Sequence, residues 1–312
     1  MSLWIVAALG CGDDLAAMRD SGTFERDAGT SARDSGGPSD TGVIERDAGS
    51  AARDSGPATG SAGCGESGRT GAWQQDLGER RGFFVSVPEG YDSSRPHRLY
   101  IAVHGTGWSG EMIRPYYDIE EVPGGGDELF IYPDRDPSRS NLETTGEAAD
   151  EDLAYFDEMM EWVTSRYCID TSRIFAMGHS GGGNWVTFLS CHRGDVLRAV
   201  VPTGTGGAWW YSGLGPGDVS GCRGPVPALV VHGRMDSIIP YDPWGLETLD
   251  YFRTLNGCGE GTGAILEGTD CALMAGCTES YDCSHDELTP FNDGHQIPSW
   301  HRAGVMSWLR SF

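Results

Sequence analysis

The feature that most constrains this chain is the pentapeptide Gly178-His-Ser-Gly-Gly182, a G-x-S-x-G motif, together with the segments on either side of it. Residues 173–177 form a short apolar run typical of a buried strand, and residues 184–191 have the length and the apolar face of a helix. A strand, a sharp turn and a helix are the setting of a nucleophile elbow, which lifts the hydroxyl of Ser180 out of the sheet. Because the chain contains 47 glycines, the five letters alone carry little weight, and this setting is what predicts a site.

Strand and helix patterns alternate along the chain from about residue 63 onward. Apolar runs predict further strands at 83–87, 99–104, 129–132, 199–203 and 228–232, with 279–284 as an edge strand. Apolar residues at helical spacing predict helices at 152–167, 243–255 and 297–312, the last with Pro298 in its first turn. This alternation predicts an α/β fold class with a mostly parallel central sheet and helices on both faces.

The serine of the motif needs two partners. A serine hydroxyl is a weak nucleophile at neutral pH, so a histidine must take its proton and a carboxylate must hold that histidine in one tautomer. Behind an elbow of this kind the acid and then the histidine follow on later loops. Asp236 follows the strand predicted at 228–232, and His295 precedes the last predicted helix. We therefore predict Ser180, Asp236 and His295 as a catalytic triad.

The sequence leaves alternatives for two of these three roles. Either of two other aspartates, Asp242 and Asp293, could supply the carboxylate. Two other histidines, His285 and His301, could supply the base, although neither follows a turn at the right place.

An oxyanion formed by attack on an ester requires preorganised N–H donors. We predict that one donor is the backbone N–H of Gly181, directly after the serine. The second is predicted to be the backbone N–H of Thr106, in the His104-Gly-Thr-Gly107 segment that follows a strand. The glycines of this segment could instead form an ordinary turn, and phosphate binding is disfavoured because no G-K-[ST] sequence follows them.

Aromatic side chains near the predicted site are the only indication of what it binds. Flat aromatic faces suit sugar rings or phenolic groups. The residues predicted to contact substrate are Trp108, His179, Trp209 and Trp210. His179 adjoins the serine and either lines the pocket or packs beneath the turn, whereas Trp185 is expected in the core.

The charge of the chain excludes one class of partner. The net charge is -24, and all 22 basic residues are arginine. A chain this acidic repels nucleic acid, so we expect no nucleic-acid partner. The lack of lysine is typical of a GC-rich genome, with a salt-adapted surface as the alternative.

No apolar run is long enough to span a bilayer, so no integral membrane span is expected.

Cysteine usage indicates an oxidising compartment. The chain has nine cysteines, of which Cys11 stands apart near the N-terminus. The other eight permit up to four disulfides, but the sequence alone does not decide their pairing. A zinc site is the alternative, and the lack of any CxxC pair argues against it.

The first 62 residues differ in composition from the rest. Residues 1–12 hold an apolar run that ends at a small residue before Cys11, like the tail of a bacterial lipoprotein signal. They lack a basic region and the apolar run is short, so we expect a truncated signal or else an ordinary frayed terminus. Residues 13–62 are predicted to be a disordered linker, because the segment 25–37 recurs at 45–57 almost without aliphatic side chains. A calcium-binding loop is disfavoured by the wide spacing of the aspartates.

Residues 63–312 form the predicted folded domain, and we expect it to be extracellular or tethered to the cell surface.

Seven segments together resemble the feruloyl esterases and the polyhydroxybutyrate-depolymerase-like esterases of carbohydrate esterase family 1. They are Ser86-Val-Pro-Glu-Gly-Tyr-Asp92, Val103-His-Gly105, Tyr132-Pro-Asp134, Tyr167-Cys-Ile-Asp-Thr-Ser-Arg173, Gly178-His-Ser-Gly-Gly182, His232-Gly-Arg-Met-Asp236 and Gly294-His295. The resemblance covers the chain from about residue 64 to its end. It implies an α/β-hydrolase fold, secretion, cleavage of carboxylic esters and no cofactor.

The resemblance also bears on particular residues. It implies the triad roles of Ser180, Asp236 and His295, and a disulfide between Cys168 and Cys191. The chain departs from the family where many relatives have a methionine-rich start to the elbow helix, here 183–185, and a tryptophan in the region that here holds residues 140–141. Both departures fall near the expected acyl pocket.

The sequence therefore predicts a secreted serine carboxylesterase, acting on feruloyl or acetyl esters of plant polysaccharide. A polyhydroxyalkanoate depolymerase or small aliphatic esterase is the first alternative. A non-catalytic surface-binding protein on a hydrolase scaffold is the second. The expected partner is the ester substrate, with no cofactor and no metal, and the expected state is a monomer.

Overall fold

The computed structural model describes residues 60–78, 81–211, 215–288 and 294–312. The predicted signal, Cys11 and the repeats lie outside these residues, as does Asp293. Among the described residues no helix has the length and apolar character needed to cross a bilayer.

In the described part of the chain, ten strands form one sheet with the order β1-β2-β4-β3-β5-β6-β7-β10-β9-β8. The strands are β1 (Gly71–Leu77), β2 (Arg81–Val87), β3 (His97–Val103), β4 (Glu128–Pro133), β5 (Ile169–His179), β6 (Ala199–Thr203), β7 (Leu229–Gly233), β8 (Thr262–Ile265), β9 (Ala272–Met274) and β10 (Tyr281–His285). The run from β4 to β10 is parallel, whereas β1, β2, β9 and β8 add antiparallel pairs at the two sides.

Helices cover both faces of the sheet. They are α1 (Gly110–Tyr117), α2 (Gly146–Arg166), α3 (Gly181–His192), α4 (Ala208–Tyr211), α5 (Leu246–Asn256) and α6 (His301–Arg310). Successive side chains of a strand point to opposite faces, so β3 contributes Leu99 and Ile101 to the core beneath α2 and α3, and Tyr100 to the core beneath α1 and α6. This burial on both faces explains why the central strands are continuous apolar runs.

The strands predicted from the sequence are the central ones, whereas the strands at the two sides of the sheet, β1, β8 and β9, were not predicted. All six predicted strands before residue 233 are present, and the α/β architecture is confirmed. The prediction of an edge strand at 279–284 is wrong, because β10 pairs with β7 on one side and β9 on the other. The helix predicted at 243–255 begins at Leu246, after a π-type turn at Tyr241–Gly245.

The first described residues, 60–62, contact the predicted domain at the start of β5. The backbone N–H of Ser61 donates to the carbonyl oxygen of Ile169 at 2.9 Å. The Ser61 hydroxyl donates to the carbonyl oxygen of Tyr167 at 2.6 Å. These bonds attach the first described residues to the start of β5.

Eight cysteines form four disulfides: Cys64–Cys168, Cys191–Cys222, Cys258–Cys277 and Cys271–Cys283. The expected bond between Cys168 and Cys191 is wrong, because Cys168 lies beside the incoming segment that carries Cys64. Because all eight sulfur atoms are in disulfide bonds, these cysteines do not supply thiolates to a zinc ion, the alternative that the sequence left open. No group of three or more His, Cys, Asp or Glu side chains within the described part of the chain is placed to hold a metal ion.

Candidate active site

The elbow adopts the strained conformation that the motif predicts. Ser180 has φ 56° and ψ -123°, a backbone conformation that residues other than glycine rarely adopt. Its N–H donates to the carbonyl oxygen of Thr203 at 2.9 Å, which ties the turn to β6. A Cβ on Gly178 would collide with the carbonyl oxygen of Gly182, and one on Gly182 would lie 2.5 Å from that of His104. The glycines of the motif are therefore required by close backbone contacts, and Ser180 stays half-exposed.

A buried carboxylate holds the predicted base. Oδ2 of Asp236 lies 2.8 Å from Nδ1 of His295, and Oδ1 accepts the N–H groups of Ile238 and Ile239 at 2.8 Å each. Burial raises the pKa of Asp236, but the hydrogen bonds from His295 and from these two N–H groups outweigh it, and the net pKa is lowered. The ionised carboxylate keeps a proton on Nδ1 and leaves Nε2 of His295 as the acceptor.

The parallel sheet brings these residues to one edge. Ser180 follows β5, Gly204 follows β6 and Asp236 follows β7, and these three strands are neighbours. A Cβ on Gly204 would lie 3.4 Å from Nδ1 of His295, and one on Gly294 would lie 2.8 Å from the backbone nitrogen of Asp236. The loops that carry the acid and the histidine therefore pack on each other and on the end of β6.

The alternative residues are placed elsewhere. Asp242 is exposed in the π-type turn, and Asp293 lies outside the described residues. His285 is buried at the end of β10. His301 is buried at the start of α6, where its Nε2 lies 3.2 Å from the hydroxyl oxygen of Thr203. Among the described candidates, the structure joins only Asp236 with His295.

The two residues predicted to supply oxyanion donors, Thr106 and Gly181, lie close together, beside a residue that the sequence did not indicate. Gly107 has φ 78°, and its N–H donates to the carbonyl oxygen of Ser140 at 2.7 Å. Oγ1 of Thr106 would lie 2.9 Å from a Cβ built on Gly181, and the side-chain amide of Asn141 would contact that Cβ even more closely. Buried Oδ1 of Asn141 has no hydrogen-bond partner among the described residues. Thr106, Gly181 and Asn141 thus surround one small space next to the serine.

Comparison with known proteins places the chain in a family. No protein-family model matches it. A probable feruloyl esterase C of Aspergillus terreus is 34% identical over 209 residues, which are 64% of this chain and 70% of that protein. The feruloyl esterase C of Emericella nidulans is 31% identical over 248 residues, 72% of this chain and 83% of that protein. The chain belongs to the feruloyl esterase family. It is a carboxylic ester hydrolase.

Solved structures agree with the fold of this esterase. An acetyl xylan esterase from Aspergillus awamori superposes with a TM-score of 0.54 at 17% identity, over 77% of this chain and 99% of that one. A thermostable esterase superposes with a TM-score of 0.55 at 16% identity, over 77% of this chain and 62% of that one. At such identities the likeness concerns the fold alone, and it confirms the α/β-hydrolase architecture.

His179 supports the histidine loop of the esterase. It is buried, and its Nε2 lies 2.6 Å from the carbonyl oxygen of His295. Burial lowers the pKa of His179 to about 4, so the ring is neutral at neutral pH and its N–H can donate to that carbonyl. Of the two placements expected for His179, the structure favours packing beneath the turn, and its contact with substrate stays a prediction.

Tyr116 is a second support that the sequence did not indicate, because α1 itself was not predicted. Its hydroxyl donates to Oε1 of Gln296 at 3.0 Å and accepts the N–H of Ile297 at 3.2 Å. The centroid of the Tyr116 ring lies 5.5 Å from the ring centroid of His179 and 5.4 Å from the ring centroid of Trp108. Tyr116 thereby connects an exposed tryptophan to the histidine loop of the esterase.

The predicted tryptophans divide into two classes. Trp108 and Trp210 are 37% and 73% exposed on segments that follow β3 and β6. Trp209 is 4% exposed and packs edge-on against Tyr251, at 5.2 Å between ring centroids. This burial favours a core role for Trp209, and its contact with substrate stays a prediction. Trp185 is fully buried, as expected.

Exposed apolar side chains collect around the same edge of the sheet. Of the large hydrophobic residues exposed in the described structure, all but Ile265 lie on segments that follow parallel strands: Trp108, Met112, Trp210, Met235, Ile238, Leu246 and Leu288. Because the carboxyl ends of parallel strands share one edge, these side chains form an apolar rim on the active-site side of the molecule.

Proposed function

We propose that this esterase hydrolyses feruloyl or acetyl esters of plant polysaccharide through Ser180, His295 and Asp236, with the feruloyl group preferred. The observation that supports the triad best is the buried Asp236–His295 hydrogen bond of 2.8 Å at the edge of the sheet where the strained elbow presents Ser180. The preference rests on the names of the feruloyl esterase relatives and on the exposed aromatic and apolar rim, which a two-carbon acetyl group would leave unused.

The first step forms the acyl-enzyme. Nε2 of His295 takes the hydroxyl proton as Oγ of Ser180 attacks the ester carbonyl carbon. The N–H groups of Gly181 and Thr106 stabilise the oxyanion, and ionised Asp236 stabilises the imidazolium. The imidazolium then gives its proton to the leaving alcohol oxygen as the ester C–O bond breaks.

The second step releases the acid. Neutral His295 takes a proton from water as the water oxygen attacks the acyl carbon, and the same N–H groups hold the second oxyanion. When the bond to Ser180 breaks, the serine oxygen recovers a proton from His295. The products are a carboxylic acid and the free enzyme, and every proton taken by the histidine is returned.

A substrate panel with product identification tests the proposal. Methyl ferulate, feruloylated arabinoxylan, acetylated xylan, p-nitrophenyl butyrate and a polyhydroxybutyrate film separate the acyl classes. We expect the highest kcat/KM on the feruloyl esters and a loss of about 10⁴-fold or more in Ser180→Ala. Ser220→Ala, which changes an exposed serine far from the elbow in the sequence, is the matched control. If wild type and Ser180→Ala were equally inactive on every ester, the proposal would fail. Highest activity on the film would favour the polyester alternative.

We further propose that the enzyme works outside the cytoplasm as a monomer. Four disulfides support an oxidising compartment, and all three proposed catalytic residues come from one chain. The lipid tether predicted at Cys11 remains part of the proposal. Titration of the denatured, unreduced protein should find at most one free thiol, and light scattering should give the mass of one chain. Eight free thiols would contradict the proposed compartment.

A further inference from the structure

A groove of about 490 Å³ lies away from the proposed active site. It is formed by the segment 62–69, by β1 and by the carboxyl end of α2, which leads through Tyr167 into β5. The elbow follows the other end of β5, and the pairing of β5 with the seven residues of β3 places the two ends roughly 20 Å apart. The groove is therefore separate from the edge that carries Ser180.

Two arginine–tryptophan pairs line this groove. The guanidinium carbon of Arg69 lies 4.3 Å from the ring centroid of Trp73. The guanidinium carbon of Arg166 lies 5.0 Å from the ring centroid of Trp162. A guanidinium that stacks on an aromatic face can still donate hydrogen bonds from its edge. Nη1 of Arg166 donates to the carbonyl oxygen of Trp162 at 3.3 Å and to Oγ of Ser165 at 3.2 Å, and the rest of its edge is left for a ligand. The N–H groups of two guanidinium groups in one groove can donate hydrogen bonds to a planar anion from two sides.

These two arginines differ from nearly all other arginines that the structure describes. Every other described arginine except Arg135 has a carboxylate within 4 Å. Arg135 instead donates to main-chain carbonyl oxygens. Arg69 and Arg166 have no carboxylate at that distance among the described residues, although Glu66 also lines the groove. In a chain of net charge -24, two unpaired cations in one groove provide a local site for an anion.

The wall of the groove is held in place before any ligand binds. The Cys64–Cys168 disulfide attaches the segment 62–69 to the start of β5. A Cβ on Gly68 would collide with the ring of Tyr167, and the Tyr167 hydroxyl donates to the carbonyl oxygen of Arg69 at 3.0 Å. Such preorganisation lowers the entropy cost of binding.

The remaining lining indicates a sugar acid as the ligand. Ser67 offers a hydroxyl group that can pair with a sugar hydroxyl, and the tryptophans offer apolar surface for a sugar ring. Ser165 and Gln75 also line the groove, and each of them already makes hydrogen bonds within the protein. Guanidinium groups bind carboxylates in a bidentate manner. The volume is that of a small-ligand site.

We propose that this groove is a second, non-catalytic binding site for a uronic-acid residue of a plant polysaccharide, held by Arg69 and Arg166. This inference rests on the proposed action on plant polysaccharide esters. The site would retain the polymer at one end of the molecule while ester groups elsewhere on the same chain reach Ser180.

Isothermal titration calorimetry of the full chain tests the proposal. The ligands are glucuronic-acid-bearing xylo-oligosaccharides, oligogalacturonides, neutral xylo-oligosaccharides and inorganic phosphate. We expect binding of one or both acidic saccharides that weakens with added salt, and affinity at least about tenfold lower for the neutral saccharide and for phosphate. Which acidic saccharide binds identifies the polymer.

The matched variants separate the groove from the active site. Arg69→Gln/Arg166→Gln should lower affinity for the acidic saccharide by about tenfold or more, with unchanged kcat/KM on methyl ferulate. Arg95→Gln/Arg223→Gln, at two exposed arginines paired with Asp127 and Asp195, is the charge-matched control and should bind as wild type does. Equal binding of the neutral saccharide, tighter binding of phosphate, or wild-type affinity in the double variant would overturn the proposal. Activity on methyl ferulate reports separately on the proposed function.

Discussion

Asn141 is a buried side chain near the elbow whose hydrogen-bonding capacity is not fully used among the described residues. Buried Oδ1 lacks a partner in the described structure, and the amide lies over Gly181 beside Thr106. A buried amide without a partner costs free energy, which is tolerated where the group serves a reaction. If the amide turns its N–H groups toward this space, Asn141 becomes a third donor to the oxyanion.

The first prediction follows from that position. Asn141→Ala should lower kcat on methyl ferulate by about 100-fold with little change in KM, because an oxyanion donor acts mainly in the transition state. Asn141→Gln should restore part of the activity if the amide donates. Thermal denaturation of each variant checks that folding is intact. Activity of Asn141→Ala within about twofold of wild type would show that the amide is only structural.

The second prediction concerns His179, which positions the proposed base through its main chain. His179→Ala removes the donor to the carbonyl oxygen of His295 and leaves a cavity beneath the turn. We expect kcat to fall by about tenfold at unchanged KM, because His295 loses its fixed orientation. His179→Gln keeps an N–H donor and should recover much of kcat. If both variants lost stability but kept wild-type kcat, His179 would have no positioning role.

At the scale of elements, the active site depends on loops that are fixed by their neighbours. The loop of His295 packs on Gly204 and on the loop of Asp236, while α1 holds it through Tyr116. The opposite end of β5 is fixed differently, because the Cys64–Cys168 disulfide attaches the entering chain there. The two ends of β5 are thus secured by independent contacts.

The third prediction compares two disulfides. Cys64→Ser/Cys168→Ser opens a loop with a sequence separation of 104, whereas Cys258→Ser/Cys277→Ser opens one of 19. If disulfides act mainly on the entropy of the unfolded chain, the first variant should lose more stability, about 4 to 5 kcal/mol against about 3. Urea denaturation measures both. The first variant should also bind acidic saccharides less tightly, since the groove wall is released. Equal losses would argue against the entropic explanation.

At the scale of the whole molecule, buried neutral histidines control the response to acid. Burial lowers the pKa of five of them: His104, His179, His232, His285 and His301. For His179 and His301 the pKa falls to about 4 and about 3. Above about pH 6.5 both the folded and the unfolded chain are neutral at these rings. As the pH falls below 6.5, the unfolded chain binds protons that the folded chain does not, so stability decreases.

The fourth prediction is a loss of stability between pH 7 and pH 5. His179 and His301 should each lower the free energy of unfolding by about 2 kcal/mol at pH 5. Glu143 and Glu247, whose pKa values are raised by burial, act in the opposite direction but are less buried. Chemical denaturation at several pH values measures the net change in the free energy of unfolding. His301→Gln should make this free energy depend less steeply on pH. A free energy of unfolding that stays constant from pH 7 to pH 5 would contradict this account.

The sequence by itself determined the local features of the protein. The apolar runs predicted the central strands because those strands are buried on both faces, and the pentapeptide predicted the elbow because close backbone contacts demand glycine at Gly178 and Gly182. The order of serine, acid and histidine led to the same Asp236 and His295 that the structure joins. These are properties of short segments, and their physical causes act within a few residues.

Only the tertiary structure decided which distant residues meet. Cys168 pairs with Cys64 and not with Cys191, because the entering segment is hydrogen-bonded to the start of β5. Asn141 reaches the elbow through a contact between loops that no periodic pattern records. Trp209 and Trp210 are adjacent in sequence, yet one is buried and the other exposed, since direction depends on the surrounding helices. Such long-range choices depend on how whole elements pack, and a single sequence does not display that packing.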